Sequence, residues 1–342
     1  MIWNAKQEAH PMATQPKLEH RALGKGGLTV SAIGLGCMSL SGIYGAADDA
    51  VSEDLIRHAI DTGVDHLDSS DMYGWGHNEQ VLGRALKGRR DGVVVATKFG
   101  QIQRPGQPNG VNGRPEYVAE ACDASLKRLG IDVIDLYYQH RVDPAVPVED
   151  TVGAMAKLVT QGKVRFLGMS EAAPDRVRRA HAVHPIAAVQ TEYSLLYREE
   201  AEETRKLTKE LGISFVAYSP LGRGFLTGAI KSFSDIDGRR AVHPRFQEQN
   251  FDQNRALVAK IEAIAAEKGC TPAQVTLAWL LAQGQDVVAI PGTRNAARLD
   301  ENVGALKVKL SAEDVARISA AVPVGAVAGT RYPAGGMAGV FI

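Results

Sequence analysis

Two hydrophobic rhythms alternate along this chain. Short, nearly continuous apolar runs occupy 32–36 (AIGLG), 64–68 (VDHLD), 93–98 (VVVATK), 133–140 (VIDLYYQH), 164–170 (VRFLGMS), 187–193 (AAVQTEY), 213–220 (ISFVAYSP) and 286–292 (DVVAIPG). Runs of this length and Val/Ile content predict strands buried on both faces. Between them apolar residues recur at helical spacing, as with Leu55, Ile56, Ala59 and Ile60, or Val118, Ala121, Leu126 and Leu129. Helices are predicted at 51–62, 79–86, from Pro115, at 147–161, 174–182, 199–211, 254–268, 272–283, 296–304 and 311–321.

Strands ending near Gly36, Asp68, Lys98, His140, Ser170, Gln190, Ser219 and Pro291 thus alternate with helices. Parallel strands need such crossovers, whereas antiparallel neighbours need only tight turns. The expected fold class is α/β, a (β/α)8 TIM barrel, with an open doubly wound sheet as the rival. Alternating segments broken by Gly24, Gly26 and Gly27 predict an N-terminal β-hairpin before the first core strand. No linker-like stretch divides the chain. The expected organisation is a disordered leader at 1–16, one barrel at 17–322, and a Gly- and Ala-rich irregular tail at 323–342. Two further segments, 101–115 and 221–250, read as long loops at the C-terminal face of the barrel.

The 342 residues carry a formal net charge of +0, which argues against nucleic acid or an anionic membrane as the main partner. Cys37, Cys122 and Cys270 are odd in number and far apart, with no C-x-x-C, so neither disulfides nor a metal site is expected. That cysteine usage, with no membrane-spanning run and no secretory h-region, points to a cytoplasmic protein.

The chemistry lies at the strand ends. Asp68, Lys98 and His140 each terminate a strand, and Tyr73 follows Asp68 in a polar turn. In a parallel barrel the C-terminal strand ends meet at one mouth, so the four can share a site. A free phenol, with a pKa of about 10, is too weak an acid near neutrality. A neighbouring ammonium is expected to lower that value, and a carboxylate would keep the ammonium charged and placed. A histidine beside them can orient a carbonyl. Such a set protonates a carbonyl oxygen as hydride arrives at carbon. No side chain supplies hydride, so a nicotinamide or flavin is implied. Taken singly, each of the four also fits a bland role, Asp68 as a helix cap among them; the joint pattern carries the reading.

DSSDMYG, VVVATKFG, YYQHRVD, GKVRFLGMSE, VQTEYSLLYR, AYSPLGRGFLTG and IPGTRNAARLDENVGAL, in this order, resemble the aldo-keto reductase superfamily over about residues 18–322. GMSE with AYSPLGRGFLTG is similar to the bacterial and plant branch near pyridoxal reductases and auxin-induced aldo-keto reductases. The resemblance implies a barrel that binds NADPH in extended form. It implies Asp68, Tyr73, Lys98 and His140 as a catalytic tetrad with Tyr73 as general acid, Asp68 also bordering the cofactor. Ser170 and Gln190 match positions that hold the nicotinamide carboxamide, and Tyr218 the aromatic that stacks on its ring. Ser219, Leu221, Gly222 and Arg223 match a pyrophosphate loop. Gly292, Thr293, Arg294, Arg298, Glu301 and Asn302 match the adenosine and 2′-phosphate end, and Gly36, Cys37 and Met38 the first βα turn beside the cofactor. Glu171 departs from the asparagine many relatives carry; an ionised carboxylate can only accept hydrogen bonds, so its role is open.

Thr293, Arg294 and Arg298 also fit an anion site physically, because they open a predicted helix whose N-terminus and guanidinium groups favour phosphate. The competing reading pairs Arg298 with Asp300 or Glu301. GRGFLTG comes too late in the chain for a Rossmann fingerprint. His181 and His184 are at metal-like spacing but read as a solvated helix end. Trp75 and Tyr44 are candidates to line a substrate pocket. The expected substrate is a small-molecule carbonyl, an aldehyde or bulky ketone, acted on by a monomer or homo-oligomer. The alternatives are a non-catalytic or redox-sensing subunit on the same barrel and an aldolase-like Schiff base at Lys98.

Overall fold

The computed structural model describes residues 18–42, 47–103, 106, 110–236 and 238–342. The expected leader at 1–16 and Tyr44 lie outside the described residues. The first described elements form an antiparallel hairpin, β1 (His20–Leu23) on β2 (Leu28–Ser31). Then come β3 (Leu35–Gly36), β4 (His66–Asp68), β5 (Val94–Phe99), a two-residue ribbon of β6 (Gln101–Ile102) and β7 (Gly110–Val111), β8 (Ile134–Gln139), β9 (Val164–Ser170), β10 (Ile186–Glu192), β11 (Ser214–Tyr218) and β12 (Val287–Ile290). Apart from the hairpin and ribbon, these strands form one eight-stranded parallel sheet in chain order. Ala289 then bonds to Ala32 and Gly34 beside β3, at 3.0 and 2.8 Å, and the sheet closes on itself. The fold is the (β/α)8 barrel, and the open-sheet rival falls.

The seam depends on glycine. A Cβ on Gly36 would stand 2.7 Å from the Ile290 carbonyl oxygen, and one on Gly292 would stand 3.0 Å from the Gly36 oxygen. Helices α1 (Asp49–Asp61), α2 (His77–Leu86), α3 (Pro115–Leu129), α4 (Val148–Thr160), α5 (Pro174–Val183), α6 (Glu199–Leu211), α7 (Glu248–Glu267), α8 (Pro272–Leu281), α9 (Ala296–Gly304), α10 (Ala312–Ala321) and the short α11 (Ala334–Met337) complete the chain. Local signals fix several starts: Asp48 accepts from the Ala50 and Val51 N–H groups, while Thr271 and Ser311 open capping boxes.

Strand alternation explains how the site is assembled. Successive side chains point to opposite faces, so residues two apart share one. Leu67, Val95, Tyr137 and Val189 join helix residues such as Ile56, Leu82 and Val152 in the outer layer. Val94, Ala96, Leu136, Tyr138, Ala188, Val216, Val288 and Ile290 form a separate cluster inside the barrel. The hairpin residues Leu23, Leu28 and Val30 belong to that inner cluster and plug the N-terminal end. One more step of two along β5 and β8 leads from Ala96 to Lys98 and from Tyr138 to His140. On β4 and β10 the same parity selects Asp68 and Gln190, and the polar residues top an apolar column.

Two stretches differ from expectation. Helix α7 starts at Glu248 rather than near 254. Phe251 in its first turns packs on Phe225 at 5.6 Å, and Phe225 on Phe246 at 5.3 Å, so tertiary aromatic contacts recruit a polar-looking EQNFDQN run. The 221–250 loop also contains 3-10 turns at Gly222–Thr227, Phe233–Asp235, Gly238–Val242 and Pro244–Phe246. The tail, although irregular, is docked. Asn254 exchanges bonds with Ala328 at 2.9 and 2.8 Å, and the Phe341 N–H donates to the Glu171 carbonyl at 2.8 Å.

Candidate active site

Beyond Asp68, β4 runs into a turn held by its neighbour β5. The Ser69 and Asp71 N–H groups donate to the Ala96 and Lys98 carbonyls at 2.8 and 3.1 Å, and the Tyr73 N–H closes on the Ser70 carbonyl at 3.1 Å. Gly74, Trp75 and Gly76 follow at φ 59°, 52° and 97°. These left-handed residues turn the chain sharply from Tyr73 into α2. Glycine suits position 76 by its φ of 97°, and a Cβ there would also push aside the Arg128 side chain, whose Cδ would lie 2.6 Å away.

The four expected residues converge. Lys98 Nζ donates to Asp68 Oδ1, to the Ser69 carbonyl at 2.6 Å and to the Tyr73 hydroxyl at 3.4 Å. The second Asp68 oxygen accepts from Gln190 Nε2 at 2.8 Å. The Tyr73 and His140 rings meet edge-on with centroids 5.9 Å apart. All four are buried. Asp68 is therefore an ion-pair partner rather than a helix cap. Sequence reading missed Ser70, whose Oγ lies 2.9 Å from His140 Nδ1 and leaves Nε2 as the free ring nitrogen. The hint was its place in the DSSDMYG run.

Electrostatics refine the expectation for Tyr73. Burial pushes its hydroxyl above the ordinary tyrosine value; Lys98 pulls the other way, and the Asp68 charge adds to the rise. The net direction is upward, opposite to the expected lowering, because desolvating a phenolate outweighs one nearby cation already shared with a carboxylate. Burial pulls Lys98 down, but Asp68 and Tyr73 more than restore it, so its pKa is raised. A Schiff-base nucleophile needs the neutral amine, so the pairing disfavours the aldolase-like alternative. His140 is held well below its usual value by burial, then by Arg141 and Lys98, and is neutral near pH 7. Burial pushes the Cys37 thiol up to about 12, which makes it a poor redox sensor.

The residues expected to hold a cofactor sit on the neighbouring strands, from β9 round to β3. Ser170 and Gln190 are paired in register on β9 and β10. Tyr218 ends β11, and Ser219 and Arg223 in the next loop have φ of 48° and 59°. Leu221 and Gly222 lie between them, half-turned into the 3-10 segment. Across the seam Ser39, in the turn with Cys37 and Met38, donates to the Thr293 carbonyl at 3.0 Å. Arg294 and Arg298 are exposed at the start of α9, which Asn295 caps by accepting from the Arg298 N–H at 3.1 Å. Glu301 and Asn302 follow in α9, Asn302 buried. Asp300 pairs with His58 at 2.7 Å rather than with Arg298.

Glu171 acquires a partner that sequence reading did not supply. Arg331, from the tail and 1% exposed, donates to both Glu171 carboxylate oxygens at 2.8 and 2.5 Å. Its guanidinium also lies 4.3 Å from the Tyr197 ring centroid. Burial raises the Glu171 pKa, but Arg331 and Arg141 outweigh it and leave the carboxyl below its ordinary value. The next tail residue, Tyr332, bonds through its hydroxyl to that of Tyr218 at 3.0 Å. Trp75 stands 42% exposed at the rim. His181 Nδ1 accepts from the Ile186 N–H at 3.0 Å. Among the described residues no group of His, Cys, Asp or Glu is arranged for a metal, and no helix is long and apolar enough to cross a membrane.

Comparison with known proteins agrees with the barrel. The Aldo/keto reductase family matches residues 32–323, and the chain belongs to this family of oxidoreductases. It is 48% identical over 324 residues to a protein of Glycine max named probable aldo-keto reductase 1, covering 93% of each chain. It is 48% identical to the aldo-keto reductase yakc [NADP(+)] of Schizosaccharomyces pombe, over 92% of this chain and 95% of the relative. The fold is similar to that of a holo-form aldo-keto reductase from Bacillus halodurans, with TM-score 0.78 and 28% identity over 90% of this chain and 97% of that one. It is also similar to a glycerol dehydrogenase from Gluconobacter oxydans, with TM-score 0.81 and 26% identity over 88% and 94%.

Proposed function

We propose that this chain is an NADPH-dependent reductase that converts the carbonyl of an aldehyde or bulky ketone to an alcohol, with Tyr73 as general acid. The observation that carries the reading is the sharing of one buried ammonium. Lys98 Nζ sits on the Asp68 carboxylate and reaches the Tyr73 hydroxyl at 3.4 Å. Tyr73 stays protonated through the neutral range and gives its proton to the carbonyl oxygen. Lys98 stabilises the phenolate left behind, and Asp68 keeps Lys98 charged. Neutral His140, with Nδ1 on Ser70, offers Nε2 to orient the carbonyl.

The donor set from β9 round to β3 fits a nicotinamide dinucleotide. Ser170 and Gln190 are amide-binding groups beside an aromatic face, Tyr218. Arg223 lies in a loop folded through left-handed residues. Exposed Arg294 and Arg298 stand at a helix N-terminus and suit a 2′-phosphate, which favours NADPH over NADH. NADPH supplies the hydride when bound. The Schizosaccharomyces pombe relative carries NADP(+) in its name, which supports the same choice.

The test is Tyr73→Phe. Steady-state reduction of 4-nitrobenzaldehyde is expected to fall by roughly 10³-fold or more, while NADPH binding, followed by quenching of protein fluorescence, persists. Turnover near the wild-type rate would remove Tyr73 from its assigned role.

A further inference from the structure

Arginines 141, 223, 245 and 331 gather around the mouth, and three of them face carboxylates. Arg331 is bidentate on Glu171. Arg245 donates to Glu192 at 2.9 Å, and Arg223 lies 3.7 Å from the same carboxylate. Arg141 is different. Among the described residues no carboxylate lies within 4.0 Å of its guanidinium. The Glu171 charge reaches it, but both oxygens of that carboxylate are committed to Arg331. One Arg141 Nη donates to the His140 carbonyl at 2.7 Å and to Ser170 Oγ at 3.3 Å. Those bonds hold the guanidinium plane from one edge. Among the described residues its Nε and second Nη make no hydrogen bond.

The position gives this charge a direction. Arg141 directly follows His140 at the end of β8, and the hydroxyls of Tyr73, Tyr218 and Tyr332 lie within its electrostatic reach. A planar fork fixed on one edge and unanswered on the other is suited to a planar anion. We propose that Arg141 is a specificity-determining residue, and that the preferred carbonyl substrates carry a carboxylate a short distance from the reacting carbon. The proposal rests on the reading of Tyr73 and His140 given above. A guanidinium that only tuned the proton donor would affect every substrate alike. One that served the cofactor would change its affinity.

The experiment compares 2-, 3- and 4-carboxybenzaldehyde with their methyl esters in the wild type, Arg141→Gln and Arg141→Lys. The wild type is expected to favour one carboxylate isomer over its ester by about tenfold or more in kcat/KM, the scale of a charge-assisted pair. The Gln variant should lose that ratio mainly through KM, and the Lys variant should keep part of it. The isomer favoured reports how far the anion site lies from the reacting carbon. A wild type that favours the ester, an equal loss for acid and ester, or a tenfold loss of NADPH affinity would each overturn the proposal. Calorimetric titration of benzoate into NADP+-saturated protein reads the site without turnover. Tighter binding to wild type than to Arg141→Gln supports the assignment, and equal binding ends it. Absence of all aldehyde reduction would instead fault the role of Tyr73, with the benzoate titration still deciding Arg141.

Discussion

The mouth of the barrel divides into two arcs of different character. At the ends of β4, β5 and β8 the four expected residues and Ser70 meet directly: Lys98 meets Asp68 and Tyr73, and His140 meets Ser70. From β9 round to β3 a buried charge is pinned by a group distant in sequence, as Arg331 pins Glu171 across 160 positions, and the side chains of Arg294 and Arg298 are solvent-exposed. The first arc gathers a buried ammonium, its carboxylate, a phenol and an imidazole within direct contact of one another, the set that the proposed proton transfer uses. The second has a built-in anchor for the tail and an exposed cationic rim, which suits a large anionic ligand. Gln190 joins them, since it lies on the second arc and donates to Asp68 on the first.

The harshest way to break the comparison is to remove the charge at the centre of the first arc. Lys98→Met leaves Asp68 buried beside Tyr73 without its cation. Lys98 lowers the phenol's pKa and Asp68 raises it, so the value must climb further. In the proposed role the phenol is active when protonated, so the rate is lost as pH rises through that pKa. The variant's alkaline fall should therefore move to higher pH, with a plateau lowered by roughly 10³-fold. A kcat/KM profile from pH 6 to 11 checks both. An unchanged alkaline limb would detach Lys98 from the proton donor.

The second arc has its own buried pair, and the expected effect there is on stability. Arg331→Ala strands the Glu171 carboxylate in a dry site, which costs about 3 kcal/mol or more. Glu171→Gln with Arg331→Met removes both charges and should recover most of it, as read from urea midpoints. The pair also has a pH signature. The Glu171 folded pKa lies below its ordinary value, so its contribution is present above the usual carboxylate range and lost as pH falls through the folded pKa. The gap between wild type and the Arg331→Ala variant should narrow on acidification. A gap that held constant with pH would show that packing, not charge, anchors the tail.

Legibility followed the same division. Asp68, Lys98 and His140 were readable because each ends an apolar run, and strand parity alone carries them to one mouth. Tyr73 was readable as the end of a turn. The upward shift of Tyr73 was not, since it depends on how completely the lumen excludes water. Ser70 and Arg141 are not legible in the sequence because each adjoins a more conspicuous residue and its contacts depend on geometry the string does not carry. The partner of Glu171 was hidden further, in a Gly- and Ala-rich segment with no periodicity. Its docking is specified by a few long-range bonds, at Ala328, Arg331, Tyr332 and Phe341. Helix α7 began early for a similar reason, because Phe251 finds Phe225 only in three dimensions.

The mildest intervention sharpens what the exposed rim is for. Arg294 and Arg298 flank the N-terminus of α9, where backbone N–H groups and the helix dipole already favour an anion. If they read the 2′-phosphate, each adds a charge-assisted bond that NADH cannot make. Arg294→Ala is then expected to weaken NADPH by about tenfold and NADH hardly at all. Arg298→Ala should act in the same sense and somewhat less, because its backbone N–H is tied into the Asn295 cap and its side chain starts one turn into the helix. Because both side chains are solvent-exposed, screening should matter. The NADPH preference should shrink as salt rises, whereas the buried charges of the first arc should keep their pH profile. Fluorescence titrations of both cofactors at low and high ionic strength separate these outcomes. Equal losses for NADPH and NADH would assign the rim to the shared pyrophosphate and leave the 2′-phosphate without a reader.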